Sequence, residues 1–124
     1  MLVRGAPSTE TGWKMVDIDG TPFLLHRRNV LGRRPSTEAG GEGAQAISLS
    51  DPGRVLSRTH ALIEVEGDEL WVTDLDSTNG TGILLTAHTH DDDRDECEPQ
   101  QRVPVPSGAA LSLGGRTVRF KAPD

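Results

Sequence analysis

Two short polar clusters carry most of the chemistry in this 124-residue chain. The first is Ser57-Arg58-Thr59-His60, and the second is Ser77-Thr78-Asn79-Gly80-Thr81. Between them lie two apolar runs, Ala61–Glu66 and Leu70–Leu75, with a Gly67-Asp68 turn. Alternation with a period of two marks strands, and a hairpin returns the chain to the end where it began. Both clusters therefore fall at one end of one hairpin unit. They bring hydroxyls, a side-chain amide, loop N–H groups and an arginine fork, all donors suited to an anion. Upstream, Arg33 follows Gly32 at the end of another strand-like run and offers a second cation. A phosphorylated side chain carries about two negative charges and three strong acceptor oxygens. Each charge-assisted hydrogen bond to it contributes roughly 1.5–3 kcal/mol, so three or four suffice for recognition.

Each of these residues also has a plainer reading. Arg33 and Arg58 could be solvent-facing arginines, Ser57 a turn-capping serine, and Asn79-Gly80 a good turn. His60, three residues after Ser57, invites a catalytic reading. A hydrolase needs its serine activated by histidine and that histidine oriented by a carboxylate, and no nucleophile elbow is present. The histidine reads better as a scaffold residue. His88, His90 and Asp91 to Asp93 have no regular ligand spacing and read as a solvated acidic loop, so no metal and no cofactor is expected.

The elements that must position these residues are short strands. Trp13–Ile18 alternates, Asp19-Gly20 signals a hairpin turn, and Phe23–His26 and Asn29–Arg33 follow as strands. Pro35–Ala46 holds three glycines but lacks the Lys-Ser/Thr ending of a phosphate-cradling P-loop, and reads as a flexible insertion. Ile47–Ser50 is a short strand and Asp51-Pro52-Gly53 a turn. Thr81–Leu85 is a further strand, His88–Arg102 a polar, acidic stretch that is either disordered or a long loop, and Ala110–Leu113 and Thr117–Lys121 a closing pair around Gly114-Gly115. Trp71 and Phe120 are candidate core residues. No segment shows a sustained helical period. Many short strands, with 14 glycines and 8 prolines, give an all-β fold, a twisted antiparallel sandwich with binding loops at one end.

The ordered set Gly32-Arg33, Ser57-x-x-His60-Ala61, Asp74-x-x-Ser77-Thr78-Asn79-Gly80-Thr81 and Leu111-x-Leu113-Gly114 resembles the forkhead-associated (FHA) domain family, over about residues 13–121. The resemblance implies an FHA/SMAD-like sandwich and a non-catalytic phosphothreonine-peptide binding module acting in signal transduction. It implies phosphate contacts from Arg33, Ser57, Arg58 and Thr78, and a hold on the peptide backbone from Asn79. Gly32, His60 and Gly80 would support the binding loops. The partner would be a phosphothreonine protein downstream of a Ser/Thr kinase. The alternative is a phosphate-independent interaction domain on the same fold. The insertions near 34–46 and 86–102 depart from the family pattern and are this chain's own; neighbouring loops of this kind usually read the residues flanking the phosphothreonine.

Composition bounds the rest. The net charge of −6 argues against nucleic acid and anionic membranes, which need a basic footprint. Four aromatic residues and no tyrosine leave little for base stacking. The single cysteine, Cys97, excludes an internal disulfide and reads as a surface thiol. With no apolar run near the roughly 20 residues a membrane span needs, a cytoplasmic location is expected. Residues 1–12 read as a tail or linker, 13–121 as the domain and 122–124 as a second tail. Thr9, Thr11 and Thr89 are flexible threonines that a kinase could turn into ligands for the chain's own pocket.

Overall fold

A computed structural model describes residues 10–86 and 88–123. Its strands are β1 (Glu10–Val16), β2 (Pro22–His26), β3 (Arg28–Gly32), β4 (Gln45–Ser48), β5 (Ala61–Glu66), β6 (Glu69–Asp74), β7 (Thr81–Leu84), β8 (Asp95–Glu96), β9 (Val103–Val105), β10 (Ala110–Leu113) and β11 (Arg116–Lys121). They form a six-stranded sheet in the order β2-β1-β11-β10-β7-β8 and a five-stranded sheet in the order β4-β3-β5-β6-β9. Alternation decides which side chains face the core between the sheets. On β5, Ala61, Ile63 and Val65 turn inward while Leu62 and Glu64 are half-buried and Glu66 is exposed. Met15, Leu25, Leu31, Val72, Leu111, Leu113 and Val118 join them in one cluster. Each such fully buried side chain contributes about 1.5–3 kcal/mol.

Register explains why the functional loops meet. Ala61 at the start of β5 pairs with both Leu31, near the end of β3, and Asp74, at the end of β6. The segments after Leu31, before Ala61 and after Asp74 therefore leave the sheet at one end. The turn between β10 and β11 joins them, because Leu113 pairs with Thr81.

Several expectations need correction. The first strand begins at Glu10, three residues before the expected domain start, and Thr11 is no tail residue: its Oγ1 donates to Leu25 O at 2.9 Å. Thr9 and the rest of residues 1–9 lie outside the described residues. The fold itself is the expected all-β sandwich, with one pairing that departs from the antiparallel pattern, β4 running parallel to β3. The crossover between them, residues 33–44, holds a 3-10 turn at Thr37–Gly40 capped by Ser36, with Gly40 buried. The segment 88–102 is not a structureless loop; it contributes a 3-10 turn at Asp91–Asp93 and the edge strand β8. Cys97 is buried, 5% exposed, and burial together with the nearby Asp74 charge pushes its thiol up to about 11. Trp71 is half-buried on the outer face, beneath the Arg102 guanidinium 4.1 Å from the ring centroid, while Phe120 packs against the core.

Candidate functional site

Three loops build a depression of about 280 Å³ lined by Arg33, Arg54, Leu56, Ser57, Arg58, Thr78 and Asn79. All five residues singled out as phosphopeptide contacts thus line one concavity. Arg33 is carried there by an extension of β3. Its backbone N–H donates to Ser57 O at 3.1 Å, and that of Arg34 to Arg58 O at 3.1 Å. These contacts account for Gly32. A Cβ at that position would lie 2.0 Å from Arg58 O, so the two backbones approach only because the side chain is missing. The Arg33 Nε donates to Leu56 O at 3.3 Å, which fixes the guanidinium plane at the rim.

The loop before β5 is shaped by Asp51. Its carboxylate accepts the backbone N–H groups of Val55 at 3.0 Å and Leu56 at 2.9 Å. Arg54, just before Val55, adopts a left-handed conformation with φ 54°. The loop after β6 is shaped by Asp74, 1% exposed. That carboxylate accepts from the Ser77 hydroxyl at 2.5 Å, the Ser77 N–H at 3.2 Å and the Thr81 hydroxyl at 2.7 Å. Three donors satisfy the buried charge, as a buried carboxylate requires.

Direct contacts hold the two loops against each other. Ser57 Oγ accepts the Thr78 N–H at 2.9 Å and donates to Thr78 Oγ1 at 3.4 Å. Asn79 Nδ2 donates to Val55 O at 3.0 Å. Gly80, with φ 81°, turns its carbonyl back toward His60. His60 is fully buried. Its Nδ1 accepts the Ser57 N–H at 3.1 Å, which leaves the proton on Nε2 to donate to Gly80 O at 2.9 Å. Burial disfavours the imidazolium and holds this histidine below its ordinary value of 6.5, against smaller opposing effects from Gly80 and Asp74. The ring reaches the backbone of Ser57, while the Ser57 hydroxyl is engaged with Thr78. A serine activated by histidine needs a bond between Oγ and the ring.

The charges at the rim are distinctive. Among the described residues, the ion pairs involve Arg94, Arg102 and Arg116. Arg33, Arg54 and Arg58 line the depression and, among the described residues, form no ion pair with a carboxylate. The arrangement is a shallow cationic cup with hydroxyl and amide donors around it.

The family model for the FHA domain matches residues 29–114, more than half of the chain. The chain belongs to the FHA domain family. Its matched segment contains every residue lining the depression. Among solved structures, an FHA domain studied for phosphothreonine-dependent interactions is 24% identical with a TM-score of 0.60, over 90% of this chain and 97% of that one. The FhaA FHA domain complexed with the intracellular domain of Rv3910 is 24% identical with a TM-score of 0.61, over 88% and 99% of the two chains. The FHA domain of human APLF, in complex with an XRCC1 bisphospho peptide, is 22% identical with a TM-score of 0.62, over 90% and 98%. These likenesses carry the fold. No curated protein matches the chain in sequence.

Sequence reasoning gave no role to two residues that shape the FHA site. Asp51 was legible as the head of an Asp-Pro-Gly turn, but its side-chain bonds to Val55 and Leu56 were not. Arg94 lies in the segment read as a solvated loop. Its Nη2 donates to Asn79 O at 3.2 Å. Thr89, read as a flexible threonine, shares a hydrogen bond with Thr86 across a tight turn, Oγ1 to Oγ1 at 3.2 Å.

Proposed function

We propose that this FHA domain is a non-catalytic reader of phosphothreonine in an extended peptide, joining proteins in response to a Ser/Thr kinase. The observation that carries the reading is the meeting of Arg33, Ser57, Arg58, Thr78 and Asn79 around one cup whose arginines pair with no carboxylate among the described residues. A phosphate at the cup would meet cations on two sides and hydroxyl donors between them. Arg33 and Arg58 would supply the charge-assisted bonds, and the Ser57 and Thr78 hydroxyls would complete the set. The Asn79 amide, an acceptor and a donor in one group, would hold the backbone of the bound peptide. The related FHA domains solved with phosphorylated partners support this reading.

Calorimetric titration with a phosphothreonine peptide, its phosphoserine analogue and its unmodified form tests the proposal. The phosphothreonine form binds and the other two bind far more weakly, because the phosphate supplies the charge and only threonine adds a γ-methyl that a small apolar contact can hold. Arg33→Ala or Asn79→Ala protein keeps its fold and loses about 10- to 100-fold in affinity, the equivalent of one charge-assisted bond. Equal binding of the unmodified peptide, or undiminished binding in both variants, would instead indicate a phosphate-independent interaction domain.

A further inference from the structure

The loop carrying Thr78 and Asn79 has a second support that lies outside the cup. Strand β8 pairs with β7 through Gly82 and Glu96, and the Cys97 N–H donates to Thr81 O at 2.8 Å. This pairing lays Arg94 across the back of the loop. A Cβ at Gly82 would lie 2.5 Å from Arg94 Cδ, so the glycine makes room for the arginine stem. The guanidinium then spans four groups. It donates to Asn79 O at 3.2 Å, Glu96 Oε1 at 3.0 Å, Asp91 Oδ1 at 3.1 Å and Ser112 Oγ at 3.3 Å. Asn79 is thereby held at both ends, its amide on Val55 O and its carbonyl on Arg94. A planar fork can serve four acceptors in fixed directions, whereas an ammonium cannot.

We infer that Arg94 is a positioning residue for phosphopeptide recognition, and that the β7–β9 insertion is the clamp that holds the Asn79 loop ready for its ligand. Arg94 does not line the cup. Its effect is on the population of the binding-ready loop. A protein whose competent state is only fractionally populated loses apparent affinity by that fraction, and the loss falls on the association rate.

The consequence for affinity rests on the phosphothreonine reading above; the consequence for the free loop does not. The test uses Arg94→Ala and Arg94→Lys protein, nitrogen-15 relaxation of residues 78–80 without ligand, and rapid-mixing kinetics with the phosphothreonine peptide. Both variants show faster or larger motion at Thr78–Gly80. Both associate on the order of tenfold more slowly, with little change in dissociation. Arg94→Lys keeps the charge, so it separates fork geometry from long-range attraction, and it carries the test if Arg94→Ala folds poorly. Wild-type association by Arg94→Lys protein would overturn the inference, whether or not the loop loosens. Failure of the wild-type protein to bind the phosphothreonine peptide would sink the functional reading, and the relaxation data would then decide alone whether Arg94 positions the loop.

Discussion

His60 shows how a residue that invites one chemistry performs another. Its spacing from Ser57 suggests a catalytic pair, yet its ring bonds backbone atoms on two loops and no hydroxyl. The neutral ring is required, because Nδ1 must accept. Folding therefore favours the unprotonated histidine and lowers its proton affinity below the ordinary 6.5. The sign follows from linkage. Below about pH 6.5 the unfolded chain binds a proton that the folded chain refuses, so stability falls as the pH drops through that point. Above it the contribution is complete. Denaturant unfolding of wild-type and His60→Gln protein between pH 7.5 and 5.5 checks this. The wild type loses stability toward pH 5.5 more steeply than the variant; parallel curves would contradict the assignment. The residues of the cup were legible from sequence only as an ordered set, because each arginine, serine or Asn-Gly pair taken alone has a plainer use in a loop or turn. The Asp51 and Asp74 bonds were not, because a carboxylate near a turn has many possible partners and only the fold selects one.

At the scale of elements, the close approach of β3 to the Ser57–Arg58 backbone is the tightest joint in the site. Gly32→Ala places a methyl group against a backbone carbonyl that cannot rotate away. Overpacking of this kind costs about 1–3 kcal/mol. Thermal unfolding shifts down by several degrees, on the order of 4–8 °C per kcal/mol lost in a domain near this size. Binding falls with it, because Arg33 is carried on the displaced segment. An unchanged transition temperature and unchanged affinity would show that the joint is looser than its geometry. Most strands were legible, since period-two alternation over Ala61–Glu66 and Leu70–Leu75 has a single physical reading on a half-buried sheet. The segment 88–102 was not, because its acidic composition is that of a solvated loop. Its order arises from contacts distant in sequence, Arg94 with Asn79 and Ser112, and from β8 pairing with β7. The parallel placement of β4 was hidden for the same reason. Nothing within Gln45–Ser48 states which edge it joins.

The whole molecule is acidic, with a net charge of −6, yet two sets of three stand out among its arginines. Arg94, Arg102 and Arg116 are paired with carboxylates and brace the sandwich. Arg33, Arg54 and Arg58 gather at one end. Such a distribution repels an extended polyanion while leaving a local attraction for a compact one. At the far end, Trp13, Leu70, Val105 and Phe120 line a more apolar groove, separated from the cup by the length of the sheets. The two ends give the account its most direct test, a titration of isotope-labelled protein with a phosphothreonine peptide followed by amide chemical shifts. Saturable shifts are expected at Arg33, Ser57, Arg58, Thr78 and Asn79, absent with the unmodified peptide. Shifts confined to the Trp13–Phe120 groove, or the same shifts with both peptides, would contradict it.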